Sequence, residues 1–105
     1  MPVKQINSRR PSPAGERLLD RLVNEWRNPQ SGEVQPVILE ERDPDQRLTH
    51  IYVVWDEWAS LAADERAQIV LEACQQTKGP DSTIDLIVVM GLTSAEADQL
   101  RIPYR

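Results

Sequence analysis

The 105-residue chain has no phenylalanine, one cysteine, one histidine and four isolated glycines. Each scarcity removes a class of chemistry. A lone Cys74 excludes an internal disulfide and a cysteine-based zinc cluster, and its place beside Val70 and Ala73 suits a small buried hydrophobe better than a reactive thiol. With His50 as the sole imidazole, and no serine in a Gly-x-Ser-x-Gly turn, neither a serine nor a cysteine nucleophile has the base it needs. Gly15, Gly32, Gly79 and Gly91 form no Gly-x-x-Gly clamp for a nucleic-acid backbone. No apolar run approaches the roughly 20 residues of a membrane span, and the first 15 residues lack the apolar core of a secretion signal. The expectation is a cytoplasmic, non-membrane protein without a cofactor or catalytic residues.

Charge narrows the partners. The net charge is −5, against the basic footprint of a general nucleic-acid binder. It is unevenly spread: six basic residues stand against three acidic ones in residues 1–27, a net +3 that leaves −8 for the remainder. The carboxylates Glu40, Glu41, Asp43, Asp45, Asp56 and Glu57 read as solvated surface. Glu40 and Glu41 point to opposite faces of a strand, and Asp43 and Asp45 lack the ligand count of a calcium loop.

At this length the chain makes one domain, read here as residues 12–105 behind a disordered basic leader, 1–11. Ser12-Pro13 is an N-cap followed by proline at the first helical position, and Leu18, Leu19, Leu22, Val23 and Trp26 follow at helical spacing up to Asn28-Pro29. Residues 36–41 form a first strand that begins at a proline. Asp43-Pro44-Asp45-Gln46 turns the chain back through 48–55 as an antiparallel hairpin. A helical stripe of Ile69, Val70, Ala73, Cys74 and Thr77 then crosses over to a third strand at 84–90, parallel to the second. Thr93 and Glu96 have the spacing of a capping box for a last short helix. The expected fold is α/β: a two-layer sandwich with a mixed three-stranded sheet, in the order helix-strand-strand-helix-strand-helix.

Val53-Val54-Trp55-Asp56-Glu57-Trp58-Ala59-Ser60, continuing to Arg66-Ala67-Gln68-Ile69-Val70, resembles the BolA family. So does Thr93-Ser94-Ala95-Glu96 after the last strand. The resemblance spans residues 14–98 in order of elements and implies a class II KH topology. It places Trp58 at the family's aromatic position and Arg66 at its first helix arginine. Family members share an iron–sulfur cluster with monothiol glutaredoxins through histidine or a loop Cys/His. Here Ala67 and Asp85 stand where the family has histidines, and carboxylate is a poor ligand for cluster iron.

The function expected from these residues is a small non-enzymatic protein-interaction or regulatory module, with a BolA-like accessory role in iron–sulfur or redox metabolism as the alternative. Both parities of the second and third strands are apolar, so one sheet face is left for a partner. Tyr52, Val54, Ile87 and Val89 are assigned to that face, and Trp55 and Trp58 to its corner, as the surface for a protein partner or homodimer. No specific nucleic acid and no metal is expected.

Overall fold

A computed structural model describes residues 12–29 and 35–104; the expected basic leader, 1–11, lies outside the described residues. Helix α1, Pro13–Arg27, starts where the sequence predicts: the Ser12 hydroxyl accepts the Gly15 amide at 3.1 Å. Ser12 also donates through its amide and hydroxyl to Glu65, at 3.0 and 2.7 Å, which ties the helix start to the second helix. Strands β1, Val37–Arg42, and β2, Leu48–Val54, form the hairpin. Its turn is closed by the Gln46 amide on the Asp43 carbonyl at 2.9 Å and the Arg47 amide on the Asp43 carboxylate at 2.9 Å.

A 3-10 turn at Asp56–Trp58 leads into helix α2, Ala63–Lys78. Strand β3, Val88–Leu92, pairs parallel with β2, and helix α3, Ser94–Gln99, follows. The sheet order is β1-β2-β3. The result is the expected two-layer α/β sandwich with a mixed three-stranded sheet.

The third strand begins later than predicted. Residues 80–83 form a 3-10 turn, continued by amide bonds from Ile84 to the Asp81 carbonyl and from Leu86 to the Thr83 carbonyl. These local bonds hold Ile84 and Asp85 in the turn despite their apolar neighbours, and the strand runs on to Leu92 instead.

The main core lies between the sheet and the α1–α2 layer. Leu18, Leu19, Leu22 and Val23 meet Ile69, Val70, Ala73 and Cys74 over Ile51 and Val53. Burial of each larger aliphatic side chain stabilises the fold by roughly 1.5–3 kcal/mol. A second cluster occupies the other sheet face, where Val54 and Leu92 are covered by Ala97, Ile102 and Tyr104.

This second cluster corrects the expected open face. Tyr52 lies opposite Met90 and Val54 opposite Leu92, so Tyr52 and Val54 share a face with Met90 and Leu92, not with Ile87 and Val89. Val89 packs on the α1–α2 core. Val88 lies opposite His50 and falls on the far face with Tyr52. A one-residue difference in register exchanges the faces of a strand. Glycine fixes the register found: a Cβ on Gly91 would sit 2.5 Å from Arg66 Cβ and 2.8 Å from Trp58 Cζ2, so only glycine allows β3 so close to α2.

Candidate functional site

Of the six residues assigned to a binding surface, three are interior. Val54, Trp55 and Trp58 are buried. Trp58 donates its indole N–H to the Leu92 carbonyl at 2.9 Å and meets Trp55 edge-to-face, with ring centroids 5.4 Å apart. The Arg21 guanidinium lies 5.2 Å from the centre of the Trp55 ring and pairs with Glu57. The tryptophan corner is therefore a core wedge between the strand end and the helix layer. Charged substitutions at Val54 or Val89 would strike packed side chains.

Among the described residues, what remains open is the lower half of the far sheet face. Opposite residues on neighbouring strands share a face, so the pairings Leu39–Tyr52, Tyr52–Met90 and His50–Val88 place these five side chains together. Each is half-buried. The C-terminal segment covers Val54 and Leu92 above them and only partly packs on Tyr52 and Met90. His50 stacks on Tyr52 at 6.3 Å between ring centroids, and its Nδ1 lies 2.9 Å from the Thr49 hydroxyl.

Beside this half-face runs the outer edge of β3. A groove of about 320 Å³ lies along it, lined by Ala63 and Arg66 of α2, Val89–Leu92, and Glu96, Gln99 and Leu100. The two edges of the sheet differ in character. β1 begins after Pro36, carries Glu40, Glu41 and Arg42, and has an irregularity between Glu41 and Arg42. Proline, charge and bulges are the features that keep an edge from pairing. β3 has none of them: its sequence is Val-Val-Met-Gly-Leu with regular pairing throughout. Among the described residues, the large exposed hydrophobics are Ile84 at 72%, Ile87 at 73% and Leu100 at 53%. Ile84 and Ile87 precede β3 closely, and Leu100 lines the groove.

The groove wall is built by Arg66, a charged side chain to which the sequence reading gave a place in the resemblance but no structural role. Arg66 is only 5% exposed. It donates to the carbonyls of Trp58 (3.1 Å), Leu61 (2.9 Å), Ala59 (3.1 Å) and Gly91 (3.4 Å), and to the Glu96 carboxylate at 2.7 Å. One guanidinium thus joins the 56–61 turn, β3 and α3 to α2. Its signal in the sequence was spacing, because Arg66 stands on the same stripe as Ile69, Val70 and Ala73.

Two carboxylates fix the start of α3. Glu96 closes the predicted capping box, accepting the Thr93 amide at 2.8 Å. Asp56 accepts the Ser94 amide at 2.7 Å and also its hydroxyl. These bonds hold both acids below the usual carboxylate range. For Asp56 the cause is Ser94, through amide and hydroxyl, with Gln35 adding less. For Glu96 it is the Thr93 amide first and Arg66 second, against a partial opposing effect of burial.

Among the described residues no three His, Cys, Asp or Glu side chains stand close enough together to hold a metal ion, and no helix is long and apolar enough to cross a membrane. Cys74 is buried, 3.4 Å from the Ser82 hydroxyl. Ala67 lies on α2 and Asp85 in the turn before β3. No family model, curated protein or solved structure matches the chain.

Proposed function

We propose that the chain is a small non-enzymatic interaction module that binds a protein through the uncovered sheet half-face and the adjoining β3 edge. The observation that supports this most is the unequal treatment of the sheet. One edge is guarded by proline and charge, while the other, next to Tyr52, Val88 and Met90, is apolar and regular. An exposed edge of that kind is a template for a further strand. Tyr52, assigned to the surface from sequence, keeps its place in this reading. Val54, Trp55, Trp58 and Val89 become its scaffold, and Ile87 moves to the edge.

The test is recovery of the tagged full-length chain from its own cells, with stoichiometric associates quantified. Tyr52→Glu and Met90→Lys are expected to remove the associate, a second copy included, while circular dichroism and the urea midpoint stay close to those of the parent. Glu41→Lys, on the guarded edge, serves as the control and should retain it. Associations that survive both Tyr52→Glu and Met90→Lys in folded protein overturn the proposal.

A BolA-like accessory role is the second reading, favoured by the position of His50 on the same half-face. A single imidazole supplies one cluster ligand, and Cys74 is buried away from it. Reconstitution with a monothiol glutaredoxin is therefore expected to yield no His50-dependent absorption or dichroism bands, and their appearance would place this reading first.

A further inference from the structure

Resting on that reading of the surface, we infer that the β3 edge takes an extended segment of a partner protein, with a lysine or arginine of that segment paired to the Glu96 carboxylate in the groove.

The backbone selects an extended occupant. The Trp55 amide donates to the Leu92 carbonyl at 2.8 Å, with Val54 opposite Leu92. Alternate residues of a parallel strand bond the same neighbour, so Val88, Met90 and Leu92 turn their backbone groups toward β2. Val89 and Gly91 turn theirs outward, to the edge that the groove follows. The Gly91 carbonyl accepts from Arg66 at 3.4 Å. Among the described residues, nothing inside the chain engages the Val89 N–H and C=O or the Gly91 N–H. Two donors and one acceptor at strand spacing suit an added strand, which bonds through its own main chain. A helix has already used those groups on itself.

The side chains select the charge of that occupant. The charged residues lining the groove are Arg66 and Glu96. The Arg66 side chain is only 6% exposed, with its head committed to carbonyls and to Glu96, whereas the Glu96 side chain is 44% exposed. Both bonds to the Glu96 carboxylate, from the Thr93 amide and from Arg66, fall on Oε1. That leaves Oε2 as an acceptor facing solvent. The charge the groove presents to a ligand is therefore negative, in keeping with the −8 carried by residues 28–105. Around the carboxylate the lining is apolar, with Val89, Leu92 and Leu100. A strand sends alternate side chains to opposite faces. With α2 on one side of the sheet and α3 on the other, one parity of an added strand meets Glu96 and Leu100, and the other meets Ala63. A lysine or arginine stem lies well on such apolar surface while its head reaches the carboxylate. An acidic segment would set its charge against Glu96 and is excluded.

The experiment titrates the full isotope-labelled chain with a short blocked peptide alternating valine with lysine, read by amide chemical shifts and hydrogen exchange. The same peptide with glutamine, or with glutamate, in place of lysine runs beside it. The lysine peptide should bind about two- to fivefold more tightly than the glutamine peptide, lose that advantage at high salt, and the glutamate peptide should bind most weakly. Exchange at the Val89 and Gly91 amides should slow on binding, while the Val88 and Met90 amides, already bonded to β2, change little. Glu96→Gln should level the lysine and glutamine peptides. That variant also touches the α3 cap, so the charge series on the unaltered chain decides by itself. Equal affinity for the three peptides, no binding at millimolar peptide, or shifts centred away from Val89 and Gly91 overturns the inference. So does protection of those two amides in the dilute chain without peptide, which means that the chain fills its own edge. Protection that grows with protein concentration alone, which means a second copy, overturns it as well. If the inference falls while Tyr52→Glu and Met90→Lys still remove the associate in cells, the interaction reading stands and only this class of partner is lost. If those variants keep their associate too, both fall together.

Discussion

Replacing Arg66 by methionine isolates the energetic role of one guanidinium. Methionine keeps most of the aliphatic stem and its packing on Gly91 and Trp58, and removes only the charged head. Five donated hydrogen bonds are lost, four of them to backbone carbonyls. A bond from a charged donor contributes about 1.5–3 kcal/mol, but five on one head are not additive, and the 3.4 Å bond to Gly91 is weak. Removing one member of a buried pair costs about 3–5 kcal/mol when the other charge stays buried. Here Glu96 remains 44% exposed and rehydrates, which favours the lower end, about 3 kcal/mol. Against a typical total of about 5–15 kcal/mol this is severe, and near 4–8 °C per kcal/mol it lowers the melting temperature by roughly 15 °C. Urea titration followed by tryptophan fluorescence reads it directly, since Trp55 and Trp58 are buried. Glu96→Gln should cost about 1 kcal/mol or less, as the ion pair is half in water, and Arg66→Lys should lose most of what Arg66→Met loses, because an ammonium cannot span the fork. If Arg66→Met costs under about 1 kcal/mol, or Glu96→Gln costs as much as Arg66→Met, the carbonyl-clamp reasoning is refuted.

Further outcomes follow from the same contacts. Gly91→Ala should destabilise by about 1–3 kcal/mol, measured by the same titration, because the new Cβ meets Arg66 Cβ and a tryptophan ring rather than a movable side-chain tip. Gly79, at φ 103° with open space around it, should instead lose about 1–2 kcal/mol on substitution by alanine through backbone strain alone. Asp56 and Glu96 have folded pKa values below their unfolded ones. Their contribution is complete above the unfolded carboxylate range near pH 4 and is lost as pH falls through the depressed folded values. The urea midpoint should therefore drop below about pH 4, and Asp56→Asn with Glu96→Gln should flatten that drop.

The order of elements was legible because each boundary has a local cause. Ser12-Pro13, Asn28-Pro29, the Asp43-Pro44 turn and the Thr93–Glu96 box act within four residues of themselves, and all lie where the sequence places them. The failure was in what joins distant segments. Ile51–Val54 and Ile87–Leu92 are apolar at both parities, so alternation does not say which residues of the two strands share a face. The deciding facts are steric and nonlocal: Gly91 must lie under Arg66 and Trp58, and that sets Tyr52 against Met90. The same rule put Val54 and Val89 on an open face by parity, and the tryptophans there by their type, where the structure packs all four.

An apolar both-parity strand can be buried on both faces or on one alone, and the structure divides the two along the strand. Toward Leu92 the far face is closed by Ala97, Ile102 and Tyr104, and there the apolar residues are core. Toward Val88 the C-terminal cover ends, and Leu39, His50, Tyr52, Val88 and Met90 are left half-buried. Arg66 and Asp56 matter to both halves. By fixing α3 they place Ala97 over Val54, and they also set Leu100 as the far wall of the groove beside the β3 edge. The polar clamp that completes one half of the core therefore also shapes the groove at the other, so the same few carbonyls and carboxylates hold the core and set the groove's walls.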